Sequence, residues 1–402
     1  MQTNSHLSRL IHDQAKKYGD REELIYKNFG SKQWKSMSWN QFSVIVKKVS
    51  NALLNLGVKV QENLGVFSQN SVEYLFCDFG AWGIRAVTIP FYATSSEQQI
   101  QFMINDAQIR FLFVGEQEQY DKALRVLATC RTLERIIIFD KNVRISEHDP
   151  NAMYFDDFLK LGDNLPRQSE VDTLQSQASM DDIANILYTS GTTGDSKGVI
   201  LTCGQYHAAF VANDKCVPVG EDDRVLNFLP FTHIFEKGWK ILCLTEGARL
   251  IVNTYPLEVQ QSMKETHPTC MSSVPRFWEK VYMGVMEQID TITAEEVVAL
   301  YYDLDKECPI GRDLYQITHL FEQPGYYVSY GVSALPALQL YVIMQDDPEE
   351  AIRIYGKLSS ISAESPDESF SDAMETCGFS DFFSPVSGVS LFSVVAGVCC
   401  SC

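Results

Sequence analysis

Tyr188-Thr-Ser-Gly-Thr-Thr-Gly-Asp-Ser-Lys-Gly-Val199 crowds glycines, hydroxylated side chains and one lysine into a single connection. Glycine lets successive backbone N–H groups converge on an oxyanion, the Thr and Ser hydroxyls add donors, and Lys197 supplies compensating charge. The order is not that of the NTPase P-loop, in which Gly-Lys runs directly into Ser or Thr, because Lys197 stands between Ser196 and Gly198. Immediately upstream, Ile183-Ala-Asn-Ile-Leu-Tyr188 is a short apolar run of the kind a buried strand shows. A phosphate-holding loop leaving a sheet core places the chain in the α/β class.

Upstream of this loop, helical and strand periodicities alternate, which predicts a doubly wound architecture. Leu7, Leu10, Ile11 and Ala15 share one helical face, and Leu24-Ile-Tyr with Met37-Ser-Trp39 reads as a hairpin around a Gly30-Ser turn. Phe42, Ile45, Val49, Ala52, Leu53 and Leu56 recur at helical spacing and stop at Gly57. Strands are predicted at Leu64–Phe67, Arg110–Val114 and Arg135–Phe139, with helices over 72–83, 97–107 and about 121–129. Residues 161–180 are polar and Gln- and Ser-rich without periodicity, which predicts a linker over 166–180 between an α/β part at 1–165 and a loop-bearing part at 181–290.

The opening run resembles the phosphate-binding signature of the adenylate-forming ligases, the superfamily of acyl-CoA synthetases, luciferases and peptide-synthetase adenylation domains. Leu229-Pro-Phe-Thr-His-Ile-Phe-Glu-Lys-Gly-Trp239 is similar to that family's next core segment in its long-chain fatty acid ligase form. His267-Pro-Thr, Val274-Pro-Arg-Phe-Trp-Glu-Lys-Val-Tyr282 and Val87-Thr-Ile-Pro-Phe-Tyr92 resemble further segments in the family's order. The resemblance covers residues 1 to about 288.

It implies that Thr189, Ser190, Gly191, Thr192, Thr193, Gly194 and Lys197 grip the nucleotide's terminal phosphates. It also places His233 beside the acyl carboxylate as the catalytic and substrate-binding histidine, with Trp239 on the acyl path. The implied partners are a fatty acid, ATP with magnesium, and coenzyme A. The implied reaction makes an acyl-adenylate and then a thioester. After residue 282 the sequence shows neither the family's aromatic-Gly-x-Thr-Glu segment, nor its Thr-Gly-Asp, nor its C-terminal lysine domain. That predicts an incomplete N-terminal domain that does not finish adenylation alone.

Charge marks a change near residue 290. From Thr291 onward there are 17 acidic residues against four Lys or Arg, and the whole chain carries −19. Helices are predicted at 294–303 and 333–358. Residues 291–385 resemble the C-terminal helical region of thermolysin-like oligoendopeptidases, around Ile317-Thr-His-Leu-Phe-Glu-Gln-Pro-Gly-Tyr-Tyr327. No His-Glu-x-x-His occurs, so no metal ligands are assigned, and His319, Tyr326, Tyr327 and Tyr330 are read as packing residues. The change of resemblance predicts a junction between unrelated segments, with an unstructured tail at 386–402.

A net charge of −19 argues against nucleic-acid or anionic-membrane surfaces. No apolar run reaches membrane-spanning length, and no basic-then-apolar leader opens the chain. Eleven cysteines, several set singly among apolar residues such as Cys77, Cys130, Cys243 and Cys270, fit a cytoplasmic protein. Composition does not specify an oligomeric state.

Overall fold

In the first half of the chain, order follows the predicted alternation. The computed structural model describes residues 6–189, 196–214, 217, 219–289, 350, 353 and 354. Among them the order is α1 (Leu10–Tyr18), β1 (Glu22–Tyr26), β2 (Lys35–Ser38), α2 (Trp39–Asn55), β3 (Asn63–Phe67), α3 (Val72–Gly83), β4 (Val87–Phe91) and α4 (Glu97–Asp106). Then come β5 (Phe111–Val114), α5 (Gln117–Val126), β6 (Arg135–Ile138), β7 (Ala152–Tyr154), α6 (Phe155–Asn164) and α7 (Gln168–Ser176). The remainder is β8 (Ile183–Thr189), β9 (Lys197–Thr202), α8 (Cys203–Asp214), β10 (Arg224–Asn227), α9 (Ile234–Glu246), β11 (Arg249–Val252), α10 (Val259–Thr266), β12 (Cys270–Met271) and α11 (Pro275–Ile289).

The described strands form two sheets, in the orders β7-β6-β5-β3-β4-β8-β9 and β12-β10-β11-β1-β2. Within each sheet the neighbours are parallel except for the β8–β9 and β1–β2 pairs. Parallel strands covered on both faces need apolar side chains at every position, which is why they read as continuous runs. Leu64 and Val66 of β3, Phe111 and Phe113 of β5, and Ile137 of β6 enter the main core. Their neighbours Phe67, Leu112, Val114, Ile136 and Ile138 enter a second core with Ile100 and Ile104 of α4 and Ala123 of α5. In the other sheet Val225, Leu250 and Val252 face the main core, while Leu226 and Ile251 pack with Val259 and Met263 of α10. Helices α2, α3, α6 and α9 therefore fill the layer between the sheets. Each large aliphatic side chain buried there contributes about 1.5–3 kcal/mol.

Local signals fix the ends. Ser38 accepts from the Gln41 amide in a capping box that starts α2, and Gly57 follows the helix at φ 77°. Trp39, read as hairpin, is instead the first helical residue. Helix α5 starts at Gln117, before the expected position near 121, because Glu116 and Gln119 form a capping box.

The predicted linker is a correction. Residues 166–180 hold α7, whose single buried apolar anchor is Val171. Polar groups dock it: Gln175 Nε2 donates to the Ser8 carbonyl at 2.9 Å, and the Arg167 amide donates to Asn51 Oδ1 at 2.7 Å. Such docking leaves no hydrophobic period to detect. The parts at 1–165 and 181–290 also interleave, since β8 and β9 extend the sheet of β3–β7, and β1 and β2 extend that of β10–β12.

Two compact units span 1–282 and 283–402, the boundary falling a few residues before the change in charge. Of the second, residues 350, 353 and 354 are helical and Arg353 pairs with Glu350. The remaining features expected beyond 290, including His319 and its tyrosines and the 386–402 tail, lie outside the described residues. No helix among the described residues is long and apolar enough to cross a membrane.

Candidate functional site

The two ends of the Gly/Thr-rich run are strands of one β-hairpin. Strands β8 and β9 pair antiparallel, with Thr189 opposite Lys197, and the Thr189 hydroxyl donates to the Lys197 carbonyl at 3.5 Å. Both residues are exposed, and the Lys197 ammonium group makes no ion pair among the described residues. Ser190, Gly191, Thr192, Thr193 and Gly194 lie outside the described residues. The hairpin base is well anchored. Arg85 holds Asp182 through two hydrogen bonds of 2.8 Å just before β8. At the other end of the strand the Tyr188 hydroxyl donates to Asp106, and its ring meets Phe102 edge-on. Strand β9 is the sheet edge and exposes Val199 and Ile200. Cys203, just after β9, is buried, and burial pushes its thiol up to about 12, so it is unreactive at neutral pH.

His233 stands at the N-cap of α9. Its Nδ1 accepts from the Phe235 amide at 3.2 Å. With Nδ1 an acceptor, the neutral ring carries its proton on Nε2, and the exposed side chain can present an N–H donor to a carboxylate. The preceding loop is clamped from the other sheet's side: Asn70 donates to the Leu229 carbonyl at 2.8 Å and accepts from the Phe231 amide at 2.8 Å. Trp239 is half-buried against the main core, and its indole Nε1 has no partner among the described residues.

Behind His233 lies a feature that sequence reading did not pick out. Lys237 and Lys240 are fully buried, and both donate to Asp78 Oδ2, at 2.7 and 3.2 Å. The other oxygen, Oδ1, accepts from the Thr88 hydroxyl at 2.7 Å. Burial pushes the Asp78 carboxyl up, but the two ammonium groups and these hydrogen bonds outweigh it and leave the group below the usual carboxylate range. Burial and the neighbouring Lys237 charge pull Lys240 down to about 7. Lys240 also lies 4.0 Å over the Phe231 ring. Glu236 is buried between Asn227, which donates at 2.8 Å, and the Ser272 hydroxyl; burial raises its carboxyl to about 7. Placing charged residues at 236, 237 and 240 of one helix looks like a solvated face, which is why the sequence does not betray this burial.

The family model described as AMP-binding enzyme matches residues 11–320. The chain belongs to the AMP-binding enzyme family. That match runs past residue 288, where the motif resemblance ended, so the first part of the acidic segment falls within the family. Among curated proteins, this chain is 26% identical over 292 residues to the long-chain-fatty-acid–CoA ligase ACSBG2 of Rattus norvegicus, covering 70% of this chain and 43% of that protein. It is 26% identical to the human long-chain-fatty-acid–CoA ligase ACSBG1, covering 71% and 40%. The chain thus spans less than half the length of these relatives.

Solved structures agree on the fold. The anthranilate CoA ligase AuaEII in complex with anthranoyl-AMP superposes at TM-score 0.59 with 19% identity, over 67% of this chain and 50% of that one. The long-chain-fatty-acid-CoA ligase FadD1 from Archaeoglobus fulgidus does so at 0.54 with 21% identity, over 67% and 52%. At such identities these likenesses show the mixed α/β fold of adenylate-forming N-terminal domains, the class expected from the sequence.

Proposed function

We propose that this chain carries the phosphate-gripping and carboxylate-contacting portion of a long-chain fatty acid–CoA ligase, and that its 402 residues do not complete adenylation unaided. The observation that carries the reading is the β8–β9 pairing, which sets Thr189 opposite an exposed Lys197 at the two ends of the Gly/Thr-rich segment. Support for a long acyl substrate comes from the fatty acid ligase relatives.

The chemistry explains why such a grip matters. A carboxylate is a poor electrophile because its leaving group would be oxide. When its oxygen attacks the α-phosphorus of ATP, the bond to pyrophosphate breaks, and the resulting acyl-adenylate is a mixed anhydride that coenzyme A thiol can open. Lys197, with Thr189 and the turn's amides and hydroxyls, would offset charge on the departing pyrophosphate, and the His233 Nε2–H would hold the attacking carboxylate. Magnesium is implied by the family's use of ATP. No group of three His, Cys, Asp or Glu among the described residues could hold a metal ion. We place the chain in the cytoplasm, where its described cysteines, all free thiols, would stay reduced.

The experiment is ATP–pyrophosphate exchange with palmitate, run beside calorimetric ATP binding on the purified chain. Measurable ATP affinity without exchange is expected. Robust exchange would overturn the claim of incompleteness, and lack of any ATP affinity would overturn the phosphate grip. A second reading, a phosphate-binding protein without catalysis, needs only the exposed Lys197 set opposite Thr189 across β8 and β9. Tripolyphosphate binding as tightly as ATP would favour it.

A further inference from the structure

We propose that Thr88 and Asp78 are positioning residues that lock the His233 helix to the phosphate-hairpin strand through one buried chain of hydrogen bonds. At one end, Lys237 lies a single turn into α9, and its amide donates to the His233 carbonyl at 2.9 Å. Its ammonium group reaches Asp78 on α3 at 2.7 Å. Asp78 Oδ1 accepts from the Thr88 hydroxyl on β4 at 2.7 Å, and that hydroxyl in turn accepts from Asn185 Nδ2 on β8 at 2.6 Å. Asn185 Nδ2 also donates to the Thr88 carbonyl at 3.1 Å, and Asn185 Oδ1 accepts from the Tyr206 hydroxyl on α8 at 2.9 Å. Asp78, Thr88, Asn185, Lys237 and Lys240 are all buried.

Each link is satisfied and directional. The hydroxyl of Thr88 can serve Asp78 as donor and Asn185 as acceptor only in one rotation, so the two sides of the chain constrain each other. A hydrophobic contact between α9 and the sheet would tolerate sliding; a buried network of this kind does not. Four residues beyond Asn185 lies Thr189, and four before Lys237 lies His233. The network therefore fixes the separation between the two places where acyl carboxylate and polyphosphate would be held. That functional consequence rests on the hairpin being the phosphate grip; the mechanical link does not.

Hydrogen exchange of the full chain, read by peptide, tests the link directly. Thr88→Val removes only the shared hydroxyl. It is expected to speed exchange roughly three- to tenfold both in the first turn of α9 and in β8–β9, the factor one net hydrogen bond of local stability gives. Thr88→Ser, which keeps the hydroxyl, should restore wild-type rates at both places. Tyr206→Phe deletes a buried hydroxyl at the far end and should leave α9 unchanged. A rise confined to β4 and its neighbouring strands, or an equal rise in α9 with Tyr206→Phe, would overturn the proposal. Should Thr88→Val fail to fold, Asp78→Leu/Lys237→Met/Lys240→Met must show the same rise in β8–β9, and its absence would be equally fatal. ATP affinity measured on the same proteins separates the two ideas. Coupled exchange in a wild-type chain that does not bind ATP would remove the phosphate grip and leave the mechanical link standing.

Discussion

Lys237 Nζ sits 2.7 Å from Asp78 Oδ2, and neither side chain reaches solvent. Two charges taken out of water regain their hydration energy only through geometry of this quality, and a second ammonium group, Lys240, shares the same carboxylate oxygen. A line of buried polar side chains thus crosses the core between the two sheets, running from the His233 helix to the hairpin strand.

Removing the acid alone leaves two buried amino groups without their shared acceptor. Asp78→Ala is expected to cost about 3–5 kcal/mol, whereas Asp78→Leu/Lys237→Met/Lys240→Met should come close to wild-type stability because the whole group is replaced by apolar volume. Urea unfolding of both variants checks this.

Glu236 gives a pH signature. Its carboxyl is raised by burial from the usual 4.5 to about 7 in the folded chain. Below 4.5 both folded and unfolded states hold the proton. Between 4.5 and 7 the folded state keeps a proton that the unfolded state has released, so stability falls as pH rises and is flat above. Unfolding free energies of wild type minus Glu236→Gln should decline by a few kcal/mol across this window; a flat difference would contradict the burial.

Gly162 on α6 lies against α2, where an added Cβ would run into the Lys48 carbonyl oxygen and carbon. Backbone cannot yield as a side chain tip can. Gly162→Ala is expected to destabilise by about 1–3 kcal/mol, the range for overpacking, despite alanine's better helix propensity. Thermal or urea unfolding reads this out.

His233 has a structural duty as well as its proposed chemical one. Losing the acceptor for the Phe235 amide, His233→Ala should cost about 1 kcal/mol, and His233→Asn, a preferred N-cap, should retain that stability. Both should leave ATP affinity intact. Weaker ATP binding in both variants would place His233 at the phosphates instead of the carboxylate.

Lys197 is exposed and makes no ion pair among the described residues, so Lys197→Ala should change stability by less than about 0.5 kcal/mol. ATP affinity should fall at least about tenfold, the loss expected for a charge-assisted phosphate contact. Calorimetry on the folded variant distinguishes this from a neutral surface lysine.

Local and periodic information was legible in the chain itself. Helix α3 falls over the predicted 72–83, and β3, β5 and β6 coincide with apolar runs, because a strand or helix buried on its own faces writes its period into consecutive residues. Strand β8 was legible as the apolar run before the Gly/Thr-rich segment, whereas its antiparallel partner β9 was not, and the family followed from motif order. Tertiary structure alone decided the rest. Helix α7 is docked by Gln175 and Arg167, polar residues that carry no apolar period. Lys237 meets Asp78 across 159 positions of sequence, and Asn185 meets Thr88 across 97. A buried polar residue and a solvated one are spelled the same way; only the fold, by withdrawing water and supplying a distant partner, makes one of them the link that holds a site together.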